Sequence, residues 1–468
     1  MLPGTRLFMS ISRPLLLRLL LPLALALLGA GLCAWLVPGE MRLIDEQLTG
    51  FPDSDVAGHM ARPWVMGGLC LLPVLAMLGY SVGGTFDRYL ARQFGMIFFI
   101  CFAALLMIFL LIDLSDNLSD FRRSADVLQT ALVFYATLAP SIVVLLLPYS
   151  LLLALIYSLG KLSRDRELVA MIQSGRSVVR LALPLIGAGL WCSLLCMGLN
   201  YHWAPTAGGS KKEMLDRAKG LLITQADHVL YFNVDHHRLW MVGGFPESYE
   251  RGEPLLYVEV TTTQPGGKMV SRLTAERASW QRDTGNWVFE RSVLCRFEEG
   301  EAPVFEQASG PVVQAGWPET PWQLIKPGLA AANLGIPDLN AWLRTNSLRQ
   351  STRPTTAAAA PYETQWHYRW ALPFTCLVTV LLAAPLSIHF SRRGPGGNVF
   401  LAVVLAVLML VTGNIVLNFG EGGLLSPVVA AWAPNVGFAL LGFYLFRTRI
   451  TGRPPHLALL RLFKNSKV

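Results

Sequence analysis

Eight stretches of this chain contain no charged residue: 19–39, 63–86, 93–112, 127–160, 181–210, 370–391, 394–420 and 422–446. About 20 apolar residues cross a bilayer, so each stretch predicts one transmembrane helix. The fourth is longer than one span needs, and its first part, "VLQTALVFYAT", is expected in the membrane interface before Pro140. Between the fifth and sixth stretches the pattern changes. "HVLYFNV", "HRLWMVG", "LLYVEVTTT", "KMVSRLTAERASW" and "GNWVFERSVLCRF" alternate apolar and polar positions, with Gly, Pro, Asn and Asp clustered between them. Alternation with short turns predicts an antiparallel sheet closed as a sandwich or barrel. Within "GNWVFERSVLCRF", Trp287 and Phe289 fall on one face, opposite Val288. "IPDLNAWLRTNSL" reads as a short amphipathic helix, and "RQSTRPTTAAAAP" as a linker.

The expected fold is therefore an α-helical polytopic membrane protein of about eight spans with an inserted all-β domain. The division runs 1–84 for a first pair of spans and 85–204 for three more. A β domain at 205–330 follows, then a short helix and linker at 331–365. The last three spans fill 366–448, and 449–468 is a basic tail.

Composition agrees. Charged residues make up 15% of the chain, against about 25% in ordinary soluble domains. The net charge of +8 does not point to nucleic acid, because it is distributed by loop. Arg6, Arg13 and Arg18 precede the first span. Lys161, Arg164, Arg166, Arg176 and Arg180 lie between the fourth and fifth, Arg392 and Arg393 between the sixth and seventh, and a basic tail ends the chain. The alternate loops hold Glu40, Asp45, Glu46, Asp53 and Asp55, then Asp113, Asp116, Asp120 and Asp126. Positive residues stay inside, which places both termini and 161–180 in the cytoplasm and 204–365 outside.

No phosphate-cradling loop GxxxxGK[ST] occurs, nor GxSxG or HExxH. No metal site is expected: Asp235, His236 and His237 read as a hairpin turn, and six of the seven cysteines lie in apolar runs. Spans seven and eight hold only Asn414, Asn418 and Asn435 as strongly polar groups, which disfavours an ion-coupled transporter.

The charged segment "LSRDRELVAMIQSGRS" interrupts this apolar background. Ser163 can cap a helix, Asp165 and Glu167 suit its first turn, and Gly175 can end it. Leu168, Val169, Met171 and Ile172 form an apolar stripe. A short helix over 163–175, held on the cytoplasmic face, suits the groove of a separate ATPase. It also suits a plain solvated loop helix.

This segment, together with "FDRYLARQF…FLLIDLSDNLSDF", "LTAERASW…NWVFERSVLCRFEEG" and "WALPFTCLVTVLLAAPLSIHFSRRGPGGN…EGGLLSPVVAAWAPN", resembles the LptF/LptG permease family over about residues 85–448. The resemblance implies a subunit of a lipopolysaccharide export ABC transporter, without catalysis of its own. It implies a jelly-roll periplasmic domain, a second LptF/LptG-like permease, an LptB-like ATPase dimer, and LptC/LptA-like periplasmic bridge proteins. ATP and Mg would be held by the partner ATPase, with no cofactor bound directly. Glu167 matches the family's coupling-helix glutamate, with Arg166, Leu168, Met171 and Gly175 around it. Asp113 falls where some members carry a lysine near the lipid phosphates, so the charge is reversed here. The family core has six spans, which makes the first two here additional, as an extra anchor or a fused partner element.

Lipid is expected to enter sideways between the third and seventh spans. Phe98, Leu106 and Leu410 would hold acyl chains, and Trp287 and Phe289 would line a lipid cavity in the β domain. Asp113 and Asp116 would meet phosphates through a divalent cation, or repel them and act on release, or simply solvate the helix end. The alternative is a non-transporting membrane anchor whose β domain binds a partner protein.

Overall fold

The computed structural model describes residues 13–48, 55–122, 126–175, 178–218, 224–233, 236–246, 249, 252–264, 268–281, 284–297, 302–325, 329–347, 356–387 and 396–450. The tail beyond 450, the segment 348–355, Arg176, Asp235 and the Arg392–Arg393 loop lie outside them.

Seven helices are long and apolar enough to cross a membrane, and a bent pair makes an eighth. They are α1 (Arg13–Leu48), α2 (Val56–Val82), α3 (Thr85–Phe121), α4 (Val127–Arg164), α6 (Val178–Tyr201), α12 (Gly396–Glu421) and α13 (Pro427–Ile450). The pair is α10 (Thr356–Ala371) and α11 (Phe374–Ser387), bent by 52°. Pro373 sits at this bend, where it cannot donate a helical hydrogen bond.

"VLQTALVFYAT" is continuous with the rest of α4 through Pro140. Phe134 and Leu138 bury against Phe121 and Ala207, so packing holds that end of the helix in place. The segment read as a linker becomes helical from Thr356, because its alanine run is the strongest helix former.

The bundle core is centred on α4 and α11. Leu147, Leu151, Leu155 and Leu159 of α4 pack with Val380, Ala383 and Ala384 of α11 and with Leu181 and Leu185 of α6. Inside a membrane such contacts stabilise by close van der Waals packing rather than by removal from water. The outward faces of α3 and α12 stay apolar and exposed, including Phe99, Ile108, Val407 and Val411.

A helix α7 (Trp203–Ala218) leads from α6 into the β domain, so strands begin later than residue 205. The strands are β1 (Thr224–Asn233), β2 (Arg238–Pro246), β3 (Leu255–Thr263), β4 (Met269–Gln281), β5 (Asn286–Arg296), β6 (Val304–Gln307) and β7 (Val312–Gln314). They form one antiparallel sheet in sequence order, with β6 and β7 both on the free edge of β5. The pairing among the described strands is thus a meander.

A crease crosses this sheet at a single level. His228, Tyr257 and Arg291 take left-handed φ of 52°, 50° and 49°, and the register aligns them with Gly243 and Glu276. Buried positions step by three there instead of two, as from Leu255 to Val258 and from Phe289 to Ser292. A Cβ on Gly243 would fall 2.9 Å from that of Tyr257, so only glycine fits. The bend brings Trp240 of β2 within 5.0 Å of Trp287 of β5, ring centre to ring centre.

The chain returns through α8 (Pro321–Ile325), a 3-10 turn (Ala331–Asn333) and α9 (Ile336–Ser347), the amphipathic helix expected from its sequence.

Candidate functional site

At one end of the bundle, α4 runs on to Arg164 and α5 (Glu167–Gln173) follows. Ser163 therefore lies inside α4 and is no cap. The break comes at Arg166, whose φ is 59°, and the segment closes at Gly175, φ 88°. Leu168 and Met171 are buried in the bundle core, worth about 1.5–3 kcal/mol each. The side chains of Val169 and Ile172 are outside the described residues. Arg164, Asp165 and Arg166 are exposed and Glu167 is half-buried. The result is a short helix fixed on one face, with a cluster of charged residues at its start. Glu167 is not left to solvent: the Tyr89 hydroxyl, from the start of α3, donates to its Oε2 at 2.8 Å.

At the opposite end of α3, Asp113 is half-buried and forms an ion pair with Lys211 Nζ of α7 at 2.7 Å. It also accepts from the Tyr135 hydroxyl at 3.2 Å and from Asn117 Nδ2 at 3.1 Å. Its countercharge is Lys211, brought by a helix 98 residues away in sequence. Asp116 is exposed one turn further on.

The acyl-chain candidates divide. Phe98 is buried and stacks between Phe94 and Phe102, so it is core; its neighbour Phe99 is the exposed ring. Leu106 packs into the cluster of Phe121 and Phe134. Leu410 is half-buried on α12. α3 packs on α2, α4, α6 and α7, while α12 packs on α4, α10, α11 and α13. α4 thus lies between the two helices and touches both, and Phe98 of α3 shares a core cluster with Ala406 of α12. A groove of about 370 Å³ between α12 and α13 is lined by Thr412, Val416, Pro434, Gly437 and Phe438.

In the β domain, Trp287 and Phe289 share a face as expected, with Val288 opposite. That face is sealed rather than open: both side chains are fully buried among Trp240 and Trp317. Trp287 Nε1 donates to Glu319 O at 2.7 Å. Arg238 covers Trp317 at 4.7 Å and pairs with Glu319 at 3.0 Å, closing the cluster. The same concave face opens further along, in a half-open cavity of about 350 Å³ between Val260, Leu273, Leu294 and Trp317, with Arg296 at its rim.

The family model described as lipopolysaccharide export system permease LptF/LptG matches residues 88–448. The chain belongs to the LptF/LptG family. It is a multi-pass inner membrane protein, a component of lipopolysaccharide transport. No curated protein matches the chain.

The LptF/LptG match begins within α3, so α1 and α2 lie outside it. They nonetheless dock on the family core. Arg62 of α2 pairs with Glu40 of α1, both buried. Buried Asp55 accepts from Asn340 Nδ2 at 2.8 Å and Arg344 NH1 at 2.9 Å, both of α9. His59 of α2 and His202, after α6, face Asp338 of α9 at 3.6 and 3.8 Å. The Tyr201 hydroxyl donates to Gly58 O at 2.9 Å, and Trp191 Nε1 to Leu72 O at 3.1 Å. Sequence reasoning missed this network, although charges at helix ends in the 40–62 region were a visible signal. Among the described residues no group of His, Cys, Asp and Glu could hold a metal.

Proposed function

We propose that this chain is the transmembrane subunit of an ABC-type exporter that draws lipopolysaccharide, or a related lipid, from the inner membrane and passes it outward along its β domain. The end carrying α5 faces the cytoplasm, where basic loops collect, and the β domain lies in the periplasm. An LptB-like ATPase dimer, holding ATP and Mg, grips α5. A second LptF/LptG-like permease sets its α12 beside the exposed face of α3, so that lipid enters sideways between them. LptC/LptA-like proteins accept it from the β domain, which serves the role of the family's jelly roll.

The observation that carries this reading is the α4–α5 corner: α5 is anchored by Leu168 and Met171, and the exposed Arg164, Asp165 and Arg166 lie just before it, beside Glu167. Load placed on such a knob reaches the core without being lost in a flexible loop. Glu167→Lys is expected to insert normally yet lose ATPase co-purification, since breaking one partner of a charge pair at an interface costs about 2–5 kcal/mol. Normal co-purification by this variant would overturn the assignment.

A second reading, a non-transporting anchor whose β domain binds a partner protein, is favoured by the sealed aromatic cluster around Trp287. It predicts that the purified ATPase complex releases no lipid to any acceptor.

A further inference from the structure

Tyr89 and Asp113 lie on the same helix. From one to the other α3 rises about 36 Å at 1.5 Å per residue, most of a bilayer. It is 37 residues long and contains no proline. Every other span among the described residues except α12 is interrupted by at least one. Kinks form at proline and few other places, so α3, like α12, lacks the commonest cause of a kink. One of its faces packs on α4 through Leu90, Phe94, Phe98 and Phe121, while Phe99, Ile100, Met107, Ile108, Leu111 and Ile112 stay exposed along the other.

Polar links tie both parts of α3 to other helices. At one end Tyr89 donates to Glu167 of α5. At the other, Asp113 holds Lys211 of α7 beside Tyr135 of α4.

We infer that α3 is a rigid rod coupling the ATPase-gripped helix to the polar site at the outer end of the bundle, with Tyr89 as the positioning residue that passes the load from Glu167. Movement of α5 pulls on Tyr89 and shifts α3 along its axis. That changes how Asp113 holds Lys211, a half-exposed ammonium suited to an anionic lipid headgroup. Because coupling is reciprocal for binding free energies, a headgroup that takes Lys211 from Asp113 alters the grip at α5 in turn. Neither site touches the other; the warrant is one proline-free helix with polar links at both sites.

The inference rests on the proposed ATPase role of α5. Its test is built on Tyr89→Phe, which removes one hydroxyl from an exposed ring and leaves the packing of α3 in place. The full complex is reconstituted in vesicles of phospholipid and lipopolysaccharide, and lipid released per ATP hydrolysed is measured. Tyr89→Phe is expected to keep ATPase co-purification and ATP hydrolysis, while release per ATP falls about tenfold, the scale of one charge-assisted hydrogen bond. Unchanged release per ATP in Tyr89→Phe, or a fall in release matched by an equal fall in ATP hydrolysis, would overturn the rod. Failure of the unsubstituted complex to bind an ATPase or release lipid would instead overturn the exporter reading beneath it.

Discussion

At the scale of single residues, the most informative contact is Asp113 with Lys211. An acidic side chain at the outer end of a span looks wrong for a site that meets lipid phosphates. Under the proposed export role the ion pair removes the difficulty, because Asp113 holds the Lys211 ammonium in place and the ammonium would face the anion. The Lys211 side chain is 38% exposed and the Asp113 side chain 12%, so the pair is partly screened and worth about 1 kcal/mol to stability. Its value lies in orientation. Lys211→Glu is expected to reduce lipid release severely with little loss of thermal stability. The swap Asp113→Lys with Lys211→Asp should recover part of it. Equal release by the parent chain and Lys211→Glu would show that the ammonium has no part in transport.

At the scale of elements, the α1–α2 hairpin is closed on itself by a buried ion pair and meets α9 through Asp55 and His59. Arg62 and Glu40 are 3% and 6% exposed at their side chains. Removing one partner of a buried pair typically costs about 3–5 kcal/mol, while replacing both with apolar groups is often neutral. Arg62→Met should therefore lower the melting temperature of the detergent-purified chain far more than Arg62→Met with Glu40→Met. A larger drop in the double variant would mean that the pair is not what holds the hairpin.

His202 adds a pH dependence at this same contact. Burial, then the nearby charges of Arg62 and His59, hold its pKa well below the usual histidine value; Asp338 also faces it. The undocked chain binds a proton near pH 6.5 that the docked His202 refuses. Stability of the docked state thus falls as pH drops below about 6.5 and is full above it. Protease cleavage near α9 should rise on acidification in the parent chain and less so in His202→Gln.

At the scale of the whole molecule, the β domain is an extended sheet creased so that its concave face closes at one end and opens at the other. Photo-crosslinking residues distinguish the two parts. At position 294, beside the open cavity, lipid adducts are expected during ATP hydrolysis; at position 287, inside the sealed cluster, none. Adducts at 287 alone would mean that Trp317 and Arg238 lift away and the whole concave face carries lipid.

The sequence by itself determined the elements. Uncharged runs and two-residue alternation are properties of neighbouring residues, so the spans, the five long strands, α9 and the charged segment at α5 were all legible, as were the motifs of the LptF/LptG family. Tertiary structure decided what meets what. Lys211 is 98 residues from Asp113 and Tyr89 is 78 from Glu167, and nothing local distinguishes these from solvated charges. Phe98 and Phe99 are the same residue type side by side; only the packing of α4 and α6 makes one core and the other surface. Alternation put Trp287 and Phe289 on one face, yet whether that face is open or sealed depends on the crease at His228, Tyr257 and Arg291, which folds β2 toward β5. Such contacts arise from the shapes of packed helices and a bent sheet, and close-packed interiors leave them little freedom once the elements are in place.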